Sequence, residues 1–213
     1  MKILFLSVSD REELFGITFP KIKEYANKYN YEFHYATDTL DDSRHISWSK
    51  IVFILQQMLS YPYYDLYIWI DDDIYITNDQ IDIYNLVKEY NFDSLLFSKD
   101  VTPNGSLNAG MIVIKNNPNT IKLLNKIYDM VEECGTRFAH NWEQDAFIKY
   151  FNSYMINPKE IVIIPHKIIQ SFYRNYDLPD NLRWQKKDFA AHITGMPIET
   201  RLKILDYIIK TAN

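Results

Sequence analysis

Apolar residues along this chain recur with two periods, and the changes from one to the other mark its elements. Short runs rich in β-branched and aromatic residues at 3–8, 31–35, 66–70 and 161–164 predict strands. Apolar positions three and four apart predict helices at 14–29, 47–59, 81–90 and 198–210. Pro118 stands where a first helical turn would place it, so a helix is expected from there to about residue 133, and another over 142–151. Further short strands are expected at 94–97, 111–114 and 189–193. Strand and helix alternate through most of the chain, which predicts an α/β fold with a largely parallel sheet. No repeat, linker or low-complexity tract interrupts it, so 1–213 reads as one domain. Only 170–187 loses its period. Phe172, Tyr173, Tyr176 and Trp184 keep that stretch from resembling disorder, and it is expected to line or cover a substrate.

The pattern is broken most sharply after Leu66 Tyr67 Ile68 Trp69 Ile70, where Asp71, Asp72 and Asp73 follow in succession before Ile74 Tyr75 Ile76 resumes the apolar run. Carboxylates held close together repel, and each is costly to desolvate without a partner. A hard divalent cation, Mn2+ or Mg2+, removes that problem and can hold diphosphate oxygens at the same time. If the backbone stays extended, Asp71 and Asp73 share one side and Asp72 takes the other, a D-x-D arrangement. The competing reading is a polar turn at a strand end.

Charge and composition narrow the classes. The formal charge is -5, from 28 acids against 23 bases, and no basic stripe appears, so nucleic acid is not an expected partner. Aromatic residues make up 15% of the chain, which suits grooves that receive sugars as well as a core. Cys134 is the only cysteine, which excludes an intrachain disulfide and a thiolate zinc site. The N-terminal run is too short for a signal peptide, and no run reaches the ~18 apolar residues of a membrane span. A soluble cytoplasmic protein, monomeric or weakly self-associating, is expected.

Several polar patches could carry chemistry. Ser7, Ser9 and Asp10 stand at the end of the first strand, where a ligand could sit, although a loop or capping role is the stronger reading for each taken singly. Gly16 alone cannot make a dinucleotide fingerprint. Ser47 is a candidate N-cap that would put Lys50 in a first helical turn, where a cation needs a compensating anion or open solvent. Arg44 carries the same ambiguity. Asn108, Ala109 and Gly110 would let a ligand approach the backbone, or form a simple bulge. Glu143, Gln144 and Asp145 follow Trp142, and Asp145 could reach a cavity walled by that indole or merely offset the helix dipole. His192, before Gly195, is either a structural histidine or the third ligand of a metal site with Asp71 and Asp73.

The order Trp48 Ser49 Lys50, Trp69 Ile70 Asp71 Asp72 Asp73, Leu107 Asn108 Ala109 Gly110, Trp142 Glu143 Gln144 Asp145 and His192 Ile193 Thr194 Gly195 resembles the metal-using GT-A nucleotide-sugar glycosyltransferases. It is most similar to their galactosyl-, mannosyl- and xylosyltransferase group, and to the first domains of algal-virus (chlorovirus) glycosyltransferases. The resemblance implies a GT-A-like fold, a mainly parallel mixed sheet flanked by helices. It implies that Asp71, Asp73 and His192 hold Mn2+ or Mg2+ on a UDP-sugar. Ser7, Ser9, Asp10, Arg44, Lys50, Asp72, Asn108, Ala109 and Gly195 would then form the donor site, with Glu143, Gln144 and Asp145 near the reacting carbon. The acceptor would be a glycan or glycoprotein hydroxyl, the stereochemistry retaining, and the location the host cytoplasm if the protein is viral. From the residues alone, a divalent-metal phosphohydrolase and a non-catalytic glycan-binding module are the alternatives.

Overall fold

In the computed structural model, which describes residues 1–101, 106–131, 142–153, 157–173 and 178–212, strand alternation decides where the helices lie. Along strand β1 (Ile3–Val8), Leu4 and Leu6 enter one apolar layer while Ile3 and Phe5 enter another. Strand β3 (Leu66–Ile70) divides in the same way, Tyr67 and Trp69 against Leu66, Ile68 and Ile70. Strands apolar on both faces must be covered on both. Helices α2 (Ser49–Ser60), α4 (Pro118–Asp129) and α5 (Glu143–Ser153) close the first layer. Helix α1 (Glu12–Lys28) and the short α3 (Ile83–Val87) contribute to the second. Side chains such as Phe5 and Ile68, fully buried here, each contribute roughly 1.5–3 kcal/mol by leaving water.

The other strands are β2 (Glu32–Ala36), β4 (Ile74–Ile76), β5 (Leu95–Ser98), β6 (Asn108–Lys115), β7 (Ile161–Ile164), β8 (Ser171–Phe172) and β9 (Ala190–His192). The main sheet has the order β2-β1-β3-β6-β5-β7. Its pairings are parallel except those of β6, which runs against both β3 and β5. This is the expected α/β arrangement, mixed and largely parallel. A second, small sheet has the order β4-β9-β8, with β9 antiparallel to β4. Helix α6 (Ile198–Ala212) packs Leu205 and Ile208 into a cluster with Ala191, Ile193 and Trp184.

Several expectations are corrected. Ser47 does not cap α2, because a 3-10 turn over Ile46–Trp48 intervenes and the His45 ring accepts from the Ser47 N–H at 3.3 Å. Helix α3 is shorter than 81–90, since Asp82 caps it by accepting from the Tyr84 N–H at 3.0 Å. Strand β6 begins at Asn108, ahead of the expected 111, with a register shift opposite Phe97 and Ser98. The stretch 170–187 is not the wall of a substrate site among its described residues: Phe172 lies buried beside the His192 ring, and Trp184 belongs to the apolar cluster under α6. Apolar area decides both placements. Helix α4 ends at Asp129, short of the expected 133, where the Met130 N–H donates back to the Ile127 carbonyl. Residues 102–105, 132–133, Cys134 and Tyr176 lie outside the described residues.

Candidate active site

Two antiparallel pairings bring the acid triplet to its neighbours. Because β6 runs against β3, Ile70 faces Met111, and the Asp71 N–H donates to the Gly110 carbonyl at 2.8 Å. Because β9 runs against β4, Ile74 faces His192, and the Ile193 N–H donates to the Asp73 carbonyl at 2.9 Å. The carboxyl end of β1 and the first turns of α2 and α5 help to wall a cavity of about 650 Å³ over these residues. Open α/β sheets place ligands at such strand ends.

Asp72 is separated from Asp71 and Asp73, although not by strand alternation. The Ile74 N–H donates to the Asp71 carbonyl at 3.1 Å and closes a turn over the triplet. Asp72 accepts from the Ser9 hydroxyl and from Arg11, whose Nε lies 2.9 Å from Oδ2 and whose second nitrogen reaches Oδ1. Asp73 faces His192 Nε2 at 3.3 Å and Arg201 at 2.8 Å. Asp71 accepts from the Trp69 indole at 2.6 Å and pairs with Lys50 at 3.2 Å. Burial pushes the Asp71 carboxyl up to about 6, with Lys50 opposing and Asp73 adding to the rise. Burial would raise Asp73 as well, but His192 and Arg201 outweigh it and hold that carboxyl at about 2. For Asp72, burial and then the charge of Asp73 raise the pKa against the pull of Arg11.

Lys50 is anchored on three sides. Its side chain is only 4% exposed, and its ammonium donates to Glu143 at 2.5 Å and to the Ala109 carbonyl at 2.7 Å, besides the pair with Asp71. Burial lowers its pKa, yet Asp71 and Glu143 outweigh that and raise it. The anions that a first-turn lysine needs are therefore supplied by the turn after β3 and by α5. Gln144 accepts from the Ala109 N–H at 2.9 Å. Asn108 Oδ1 accepts from the Gly110 N–H and from Gln170, both at 2.9 Å, and its amide donates to Asp100 at 3.1 Å. Asp145 lines the cavity with its carboxyl raised, first by burial and then by Glu143.

A divalent cation fits the residues present. Asp71, Asp73 and His192 each offer a ligand atom, all within 4.8 Å of one another. Asp73 Oδ1 is buried facing His192 Nε2 at 3.3 Å, and His192 Nδ1 is buried without a hydrogen-bond partner. A polar atom so left costs about 1–3 kcal/mol, which a coordinated cation would offset. Gly110 shapes the same corner: a Cβ there would come within 2.3 Å of His192 Cε1, so only glycine admits the imidazole. Two carboxylate oxygens with an imidazole nitrogen form a donor set suited to a divalent cation such as Mn2+ or Mg2+.

Of the residues singled out in the sequence, Ser9, Asp10, Lys50, Asp71, Asp72, Asp73, Asn108 and Ala109 all line the cavity, as do Glu143, Gln144, Asp145, His192 and Gly195. Gly195 takes φ 76°, a left-handed backbone that favours glycine. Ser7 and Arg44 are not brought there. Ser7 is fully buried within β1, and the Arg44 guanidinium lies 3.6 Å over the Tyr128 ring centre. Two arginines that line the cavity escaped the sequence reading. Arg11 had a signal in its position just beyond the first strand, whereas Arg201 lies 128 residues from Asp73 and had none.

Residues 6–102 and 84–202 match a family described as the galactosyl transferase GMA12/MNN10 family. A probable alpha-1,2-galactosyltransferase of Schizosaccharomyces pombe, gmh2, is 28% identical over 84% of this chain. A second from the same organism, gmh1, is 22% identical over 84%. The aligned region spans 59% of the length of the first and 62% of the second. Among solved structures, a glycosyltransferase involved in glycosylation of the major capsid of PBCV-1 superposes with a TM-score of 0.76 at 16% identity, over 97% of this chain and 100% of that one.

Proposed function

The chain belongs to the galactosyl transferase GMA12/MNN10 family, and from that premise we propose that it moves one monosaccharide from a UDP-sugar to a hydroxyl of a glycan or glycoprotein. The observation that carries this reading is the Asp71, Asp73 and His192 cluster at a cavity that Gln144 and Asp145 also line. A divalent cation held there, Mn2+ in preference to Mg2+ because of the imidazole, would neutralise the donor diphosphate and stabilise UDP as it leaves. Ser9, Asp10 and Asp72 border the nucleoside side, with Arg11 fixing Asp72. Lys50 fixes Glu143 and the backbone of Ala109. Glu143 is thereby committed to an ion pair, which leaves Asp145 as the carboxylate to meet a reacting centre. The wall at Asn108 and Gln144 would face the donor sugar, and the outcome is retention, as in the group the sequence resembles.

Among the described residues no helix is long and apolar enough to cross a membrane. The lone cysteine of the sequence, Cys134, suits a reaction in the reducing cytoplasm.

Mass spectrometry over a panel of UDP-sugars and glycans, with Mn2+ and with a chelator, tests the assignment. One added monosaccharide that disappears under chelation is the expected result. Cleavage of ordinary phosphoesters without any sugar transfer would instead identify a phosphohydrolase, and glycan binding without turnover a binding module. Asp145→Ala should lower turnover at saturating substrates by roughly 100- to 10,000-fold, the range of a positioned acid-base group, while UDP binding in the presence of Mn2+ stays near wild type. Near-normal transfer in that variant would remove Asp145 from the reaction.

A further inference from the structure

Trp142 stands apart from the other large apolar residues at the cavity. The residue is 48% exposed, although it lines the cavity directly ahead of Glu143, Gln144 and Asp145. The indole is not loose. His45 stacks on it with ring centres 5.2 Å apart and planes within 5° of parallel. His45 is in turn set by its bond to the Ser47 N–H. The preceding Arg44 spans Trp48 and Tyr128, with its guanidinium over both rings and a hydrogen bond to the Tyr128 carbonyl. Asp41 completes the anchorage by accepting from the Tyr128 hydroxyl and pairing with Arg44 at 3.5 Å.

An exposed, flat and clamped aromatic surface beside a polar cavity matches the amphipathic face of a pyranose, whose axial C–H groups pack on a ring while its hydroxyls remain at polar neighbours. We propose that Trp142, held by His45, is the acceptor platform, and that the acceptor is a saccharide whose ring stacks on the indole, not a bare peptide hydroxyl. Asp145, three residues further along the same turn, would then lie beside the acceptor's reacting hydroxyl. Arg44 acquires a positioning role in this arrangement, through His45, without entering the cavity.

This inference rests on the transfer reading above, and the test separates the two. Initial rates are measured with Mn2+, the active UDP-sugar and a panel of free saccharides and hydroxyl-bearing peptides, for wild type, Trp142→Ala and Trp142→Tyr. Trp142→Ala should raise the KM for the saccharide about tenfold, the size of an aromatic contact. The kcat and the affinity for UDP with Mn2+, read by calorimetry, should stay within about twofold. Trp142→Tyr, which restores a flat ring, should recover most of the KM. An unchanged KM in Trp142→Ala, an equal loss in both variants, or transfer to peptides in preference to saccharides overturns the platform while leaving glycosyl transfer in place. If wild type transfers to nothing in the panel, the transfer reading fails and the platform fails with it.

Discussion

Asp71→Asn and Asp73→Asn are expected to abolish Mn2+-dependent binding of UDP-sugar and to lower transfer by on the order of 100- to 1000-fold each, as loss of a key electrostatic group does. Asparagine keeps the shape of aspartate and removes only its charge. At Asp73 the loss is compounded, because that carboxylate faces both His192 and Arg201. Asp72→Asn should cost much less, since Arg11 and Ser9 occupy its oxygens and it lies outside the Asp71, Asp73 and His192 cluster. Calorimetry of UDP with and without Mn2+ on the three variants reads the contrast. Equal losses at all three positions would reject the division of the triplet.

Lys50→Met should destabilise the fold as well as the site. The ammonium is nearly inaccessible and bridges Asp71 and Glu143. Removing one partner of a buried ion pair costs about 3–5 kcal/mol, because the remaining charges lose their compensation. For a chain of this size such a loss corresponds to a Tm lowered by roughly 10 °C. Replacing Glu143 with leucine in the same chain should recover part of that stability, since apolar residues of similar volume can stand in for a buried pair, but none of the activity. A Lys50→Met protein that melts with wild type would show that the bridge is open to water and worth little.

How much of this was legible in sequence depends on the range of the interaction. Ile3–Val8, Leu66–Ile70 and Ile161–Ile164 were readable to the residue because each is a short, nearly continuous apolar run that the sheet buries. Pro118 marked the start of α4, where Asn117 accepts from the Asn119 and Thr120 N–H groups. Asp71, Asp73 and His192 could be grouped from chemistry, with the order of motifs as support. The route by which Asp72 is turned away could not be read, because it depends on a turn hydrogen bond and on the guanidinium of Arg11. The failures at Phe172 and Trp184 have one cause: aromatic residues in an aperiodic stretch suggest a lining surface when their burial partners, His192 and the face of α6, cannot be seen. Arg44 was misplaced for the converse reason, since a cation stacked on Tyr128 looks in sequence like one available to a phosphate.

The pairing of β4 with β9 also sets an order of events during synthesis. All strands of the main sheet are synthesised by the time Ile164 is added, whereas the partners of Asp73 follow only with His192 and Arg201. Chains emerge at about 5–20 residues per second and fold as they do so, so the sheet can form seconds before its reactive corner closes. During that interval the acid triplet has a framework but lacks the imidazole and the guanidinium that complete it.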